Sequence, residues 1–374
     1  MTKSVLCSAC LLGILAAPPR VAGQTTPHPA GDEPPPLPTA FVARQDPQQP
    51  KKTSPWLLVP LVSSGPKMGT SFGGLGAYLR YFDADSEVSM FGGLFQYSTT
   101  HSMVGAVFAR TSFGADHHRL EAFAGFGYVE NEYEDYLGTG QPFKTTDDVR
   151  AVAGRYLYRV KGNWFIGAQG VTANYTVAGA TETDQQILDI LGLAGVNAGG
   201  LGLVLMHDSR DNQDMPVKGW YTNLNNLANR TWLGADADYA AYRLESKGFV
   251  EHGNGHVFAV RQNNQFTSNA PASAEATIDL RGYKLEQYLG RYMSSIEMEE
   301  RIRFSRRLGA TVFGGVGWLY GGSSAPIDSD GYYPSYGAGL QFVLKPEDHM
   351  LVNLEYAHGS ENNYGVYLKF GYSW

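Results

Sequence analysis

The sequence predicts an all-β fold: a transmembrane antiparallel β-barrel of sixteen strands, following a signal peptide and a proline-rich linker. Three observations predict it. The chain holds 45 Gly, 23 Tyr and only 17 % charged residues, yet its mean hydropathy is slightly negative and no second long apolar run follows the first. Apolar and polar positions alternate with period two over many short segments, as a sheet between lipid and an aqueous lumen requires. The connections between those segments sort by length, with the long ones on one side. The composition excludes a helical membrane protein, and a two-sheet soluble sandwich has no reason to sort its loops.

Residues 1–23 form a cleavable secretory signal. Lys3 supplies a positive start, residues 5–17 are nearly all apolar, and Val21, Ala22 and Gly23 follow the helix-breaking Pro18 and Pro19. The apolar run is too short to cross about 30 Å of hydrocarbon at about 1.5 Å per residue. Cys7 and Cys10 both fall within it, so neither disulfides nor cysteine metal sites are expected beyond it. Removing Lys3 and Arg20 leaves 27 basic against 36 acidic residues, a net charge of −9, so nucleic acid is not an expected partner.

Residues 24–54 carry a dense proline set, from Pro27 to Pro50, and end near Lys51 and Lys52. They read as an extended periplasmic linker, a candidate docking segment for a periplasmic partner and too short for a folded domain. The barrel occupies residues 55–374. Its sixteen segments span 56–64, 69–83, 87–98, 101–112, 118–131, 148–160, 163–177, 196–208, 218–230, 238–251, 255–267, 291–305, 309–320, 334–345, 349–358 and 363–374. Most match the roughly 9 to 11 residues that a tilted membrane-crossing strand needs.

Long connections follow the fifth, seventh, eleventh and thirteenth segments, at 132–147, 178–195, 268–290 and 321–333. All are odd-numbered and therefore lie at one end, the outer one, whereas most even-numbered connections are short turns at the inner end. Alternation is clearest in the last segment. Tyr364, Val366, Leu368, Phe370, Tyr372 and Trp374 share one face and Gly365, Tyr367 and Lys369 the other. In the fifteenth segment Asn353 and Glu355 point to the lumen, and in the tenth Arg243, Glu245 and Lys247 do. Glu300 breaks the rule, being in phase with the lipid-facing Met298 and Ile302.

Asp208, Ser209, Arg210, Asp211 and Asn212, followed by Pro216 and Gly219, resemble the inner-turn stretch D-x-R-D-N…P…G of the BamA/TamA-like outer-membrane assembly-factor superfamily, the bacterial surface antigen family. Leu280-Arg281-Gly282-Tyr283 resembles its (V/L)-R-G-(F/Y) signature, which the resemblance places at the tip of the sixth outer loop, folded back into the lumen. Glu299-Glu300-Arg301 is similar to its E-x-R strand. Phe313-Gly314-Gly315-Val316-Gly317 is similar to its F-x-D-x-G strand, with Gly315 where the family has aspartate. The resemblance implies that Arg281 pairs with acidic lumen residues, and Glu299, with Glu297 in the same phase, are the candidates. The terminal aromatics Phe370, Tyr372 and Trp374 resemble the signal read by the barrel assembly machinery.

No enzyme, cofactor or metal is expected. His207 and Asp208 are adjacent in a strand and face opposite sides. His117 and His118 lack metal spacing, and Asp328, Ser329 and Asp330 read as a solvated outer loop. Two functions stand open: a factor aiding insertion or translocation of proteins at the bacterial outer membrane, or a passive channel or structural surface barrel without insertase activity.

Overall fold

The computed structural model describes residues 55–65, 69–133, 143–191, 193–211, 216–283, 287–324, 329–345, 350–360 and 363–370. Residues 1–23 and 24–54, read above as a signal peptide and a linker, and Asn212, Tyr372 and Trp374 lie outside these residues. The described residues form one sixteen-stranded antiparallel sheet in which each strand pairs with its chain neighbour.

Its first half comprises β1 (Trp56–Gly65), β2 (Gly69–Arg80), β3 (Ser89–Ser98), β4 (Met103–Phe113), β5 (His118–Tyr133), β6 (Phe143–Lys161), β7 (Trp164–Gly179) and β8 (Gly195–Asp208). The second half comprises β9 (Gly219–Asn229), β10 (Tyr239–His252), β11 (His256–Ser268), β14 (Tyr292–Arg303), β15 (Leu308–Tyr320), β16 (Gly331–Lys345), β17 (Met350–His358) and β18 (Tyr364–Phe370). Two further strands, β12 (Ala276–Thr277) and β13 (Leu289–Gly290), make a separate ribbon inside the long loop between β11 and β14. At the ends of the order, β1 and β18 lie side by side. No hydrogen-bonded register joins them among the described residues.

Period-two alternation builds the two faces. Along β14, Met293, Ser295, Glu297, Glu299, Arg301 and Arg303 are buried in the lumen while Met298 is exposed outside. Leu58, Val107, Leu203 and Leu340 are among the exposed outward apolar residues, and no helix among the described residues is long and apolar enough to cross a membrane. Aromatic pairs sit toward the strand ends, such as Trp56 with Tyr78 at 5.3 Å and Tyr292 with Tyr320 at 5.5 Å, in the position of interfacial girdles. Glu300 is accounted for here: it lies near the inner rim, where His252 Nε2 stands 2.9 Å from its carboxylate.

Most strand ends shift by a few residues from the sequence reading, and three differences have a visible local cause. β6 begins at Phe143 rather than 148, because its extra residues pair with the end of β5 as far as Tyr133. β2 ends at Arg80 rather than 83, since the following residues turn. The outer connection 178–195 contains a helix, α1 (Glu182–Leu191), which strand periodicity could not signal. Its Leu188 packs with Tyr175, Val177, Val196, Ala272 and Leu289, so apolar side chains cover the outer mouth of the lumen.

Candidate functional site

The loop between β11 and β14 turns into the lumen. Ala276, Ile278, Leu280, Tyr283 and Tyr288 pack on Met293, Leu319 and Tyr333 of the barrel wall, and every one of these side chains is buried. At the tip, Gly282 has φ +98°, a left-handed conformation that glycine adopts without strain. A Cβ there would also meet the backbone of His358 and Gly359 at 3.1 Å. The Gly282 N–H donates to Tyr367 Oη at 3.0 Å, which ties the tip to β18. Tyr283 Oη donates to the Pro334 carbonyl at 2.6 Å and accepts from the Ser360 N–H at 2.8 Å. Each residue of the R-G-Y signature therefore has a separate mechanical role.

Arg281 is wholly buried and meets three carboxylates. One guanidinium nitrogen donates to Glu297, while the other stands 2.7 Å from Glu299 and 3.5 Å from Glu355. The Phe313 ring lies under the guanidinium, 3.4 Å from centroid to carbon, a cation–π contact in a desolvated place. Arg301 Nε holds the other oxygen of Glu299 at 2.8 Å. Glu297 and Glu299 of β14 thus supply two of the three carboxylates, and Glu355 of β17 supplies the third. Gly315 also has a local reason. It is paired in register with Glu297, and a Cβ there would come within 2.6 Å of the Ile296 carbonyl oxygen. Glu355 supplies the third carboxylate from another strand instead.

Two residues before Arg281, the loop has an anchor of the opposite sign. Asp279 accepts from Arg243 at 3.1 Å, from Arg261 at 2.9 Å and from Asn263 at 2.6 Å. Arg261 continues to Glu245 at 3.0 Å, and Lys247 lies 3.6 Å from that carboxylate. The inward phase of Arg243 and Glu245 was visible in the sequence, but nothing there marked Asp279 as their partner. One turn of loop therefore presents an anion to a cationic wall and a cation to an acidic wall.

The inner-turn motif lies between β8 and β9. Asp208 takes a bidentate contact from Arg210 at 2.8 and 3.0 Å and a further one from Arg119 at 3.2 Å. Asp211 Oδ1 accepts the N–H groups of Val217 and Lys218 at 3.1 and 3.2 Å, closing the turn. Pro216 is buried beside it, and Gly219 takes φ +110°, with a Cβ there 2.4 Å from the Ser209 carbonyl oxygen. His207 faces outward against Trp164 at 4.9 Å while Asp208 is buried inside, so the two do not meet. Of the terminal aromatics, Phe370 ends β18 and the other two lie beyond the described residues.

No protein-family model and no curated protein matches this sequence. Among solved structures it is similar to BamA from Haemophilus ducreyi lacking POTRA domains 1-3, with a TM-score of 0.57 at 12 % identity over 93 % of this chain and 76 % of that one. The chain folds as a BamA/TamA-like barrel. CdiB from Escherichia coli is also similar, with a TM-score of 0.59 at 11 % identity over 87 % of this chain and 64 % of that one. CdiB from Acinetobacter baumannii gives 0.58 at 9 % identity, covering 85 % of this chain and 60 % of that one. The BamA-like barrel thus spans less than two thirds of either CdiB chain. Its buried Arg281 cluster is a property of this chain's own residues.

Proposed function

We propose that this barrel aids insertion or translocation of proteins at the bacterial outer membrane. The observation that carries the reading is the way the lumen loop fastens one wall of the barrel. Arg281 connects β14 to β17 through Glu297, Glu299 and Glu355, and Gly282 reaches β18 through Tyr367. β18 then runs beside β1 without a paired register among the described residues. A strand edge exposed where such a seam parts offers N–H and C=O groups to an incoming strand. A latch that holds β14 to β18 together would let that seam part without unravelling the wall behind it.

In this reading the chain is exported by residues 1–23 and delivered by the barrel assembly machinery through its terminal aromatics. Outer-membrane lipid surrounds the outward apolar band, and residues 24–54 are free to engage a periplasmic partner. No enzymatic step or cofactor is assigned. The alternative, a passive channel or structural surface barrel, draws on Gly315, which departs from the motif of the assembly factors.

Reconstitution separates the two. The full chain in lipid vesicles is expected to speed the insertion of a urea-denatured client barrel relative to empty vesicles, and to show no steady single-channel conductance. Steady conductance without acceleration would establish the alternative. Alkaline carbonate extraction is expected to leave the protein in the membrane fraction, and its release into the soluble fraction would end both readings.

A further inference from the structure

We propose that the inner mouth of the lumen holds a binding site for a phosphate dianion, either free or as the headgroup of a phosphomonoester lipid. A cavity of about 50 Å³ lies there against the wall from β4 to β10. Five cations line it: Arg110, Arg119, Arg155, Arg210 and Lys247. Three carboxylates join them, from Glu87, Glu121 and Asp208, so the lining carries a net charge of +2 in a chain whose own net charge is −7. Just behind the lining, Asp116 takes Arg159 together with Arg119, and Glu245 takes Arg261 together with Lys247. Counting these two acids and two further bases leaves the excess of two cations unchanged. It matches a phosphate monoester, which is mostly dianionic near neutral pH.

The cationic groups are held in place beforehand, Arg119 by the carboxylates of Asp116 and Asp208 and Arg210 by that of Asp208. The Tyr221 ring lies 4.5 Å from the Arg210 guanidinium and 5.7 Å from Lys247 Nζ, and the Phe165 ring lies 4.1 Å from the Arg119 guanidinium. Two nitrogens of Arg155 donate to Gln169 Oε1, at 3.2 and 2.7 Å, which fixes the plane of the group. Its third nitrogen is 3.9 Å from Glu121, beyond hydrogen-bond reach. Preorganised donors lose little entropy on binding. They also come from five separate segments, namely β4, β5, β6, the β8–β9 turn and β10. Convergence from several directions suits a tetrahedral oxyanion better than a flat carboxylate, which one guanidinium fork satisfies. The volume corresponds to about four waters, room for one phosphoryl group. The exposed Glu87 marks the opening at the inner end, so the ligand enters from the periplasmic side.

The test is calorimetric titration of the full-length protein in phosphate-free detergent, once with inorganic phosphate and once with short-chain phosphatidic acid. Saturable one-to-one binding is expected that weakens with added salt. Lys247→Gln and Arg110→Gln should each weaken it about tenfold, the loss of one charge-assisted contact. Arg150→Gln, an exposed residue toward the outer end of β6, should leave it unchanged. Heat-modifiable migration confirms folding of each variant, and if one fails to fold the other decides. Comparable affinity for both probes makes the phosphoryl group itself the ligand, and at least tenfold tighter lipid binding makes it a headgroup. Absence of saturable binding by either probe, or binding indifferent to both substitutions, overturns the proposal.

Discussion

Replacing Arg281 with alanine removes the cation on which three lumen carboxylates converge. The side chain is fully buried, so solvent does not screen the loss. Arg301 stays on Glu299 at 2.8 Å, but the cluster of Glu297, Glu299 and Glu355 becomes one positive charge short, and the contact with the Phe313 ring disappears. Breaking a buried ion pair from one side costs about 3–5 kcal/mol. If that cost falls on the inward state of the loop, the population with the loop swung out rises by about a hundredfold or more. A cysteine in place of Ala276, which is fully buried in the loop, reports this directly. Its labelling by a membrane-impermeant maleimide should be slow in the parent and faster by at least two orders of magnitude with Arg281→Ala. A cysteine at the exposed Trp232 labels quickly in both and serves as the reference. Arg281→Lys keeps the charge but not the fork that reaches several carboxylates, and should fall between the two. Rapid labelling at position 276 in the parent, or no change on removing Arg281, would refute the latch.

The opposite anchor behaves in parallel: Asp279→Asn weakens three contacts to Arg243, Arg261 and Asn263, and its cost combined with Arg281→Ala should fall at least about 1 kcal/mol short of additivity, because either change alone frees the same loop. Fully additive urea midpoints would show that the anchors act independently. Gly315→Asp, which introduces the aspartate of the resembled F-x-D-x-G motif, should destabilise by about 1–3 kcal/mol, since its Cβ would press on the Ile296 carbonyl. An unchanged or raised melting temperature would contradict this. In the turn between β4 and β5, burial pushes the Asp116 carboxyl up, but the hydrogen bond and charge of Arg119, with the Ser112 hydroxyl, more than reverse it and hold it below its ordinary value of 3.8. A lowered folded value stabilises above the unfolded value and is lost as pH falls through the folded one. Asp116→Asn should therefore be less stable than the parent at neutral pH, with the gap closing below about pH 4. A gap that persists in strong acid would argue for a purely steric effect.

Much of the fold was legible because its signals are local. Side chains on successive residues of a strand point to opposite faces, so the inward phase of Glu297, Glu299, Arg243 and Glu355 could be read along each strand in turn. Turn chemistry is equally short-ranged, which is why the segment from Asp208 to Gly219 could be set between two strands. A helix in the 178–195 connection was missed because α1 has a different period and contributes a buried Leu188 to a lid that no single segment encodes.

The candidate site divides along the same line. Arg281 with Glu299 and Glu297 was reachable through the motif and the strand phase. Glu355, 74 residues away along the chain, and Asp279, held by strands from 16 to 36 residues earlier, were not. The sequence by itself determined the strand faces, the parity of the loops and the residue types pointing inward. Only the tertiary structure decided which of the inward charges on distant strands join Arg281, Glu297 and Glu299. Curvature of the sheet carries β10, β11, β14 and β17 around a common lumen, and the depth to which the loop descends selects its partners. That depth is set by packing of Ile278, Leu280 and Tyr283 against the wall, a balance over many distant residues that no local pattern records.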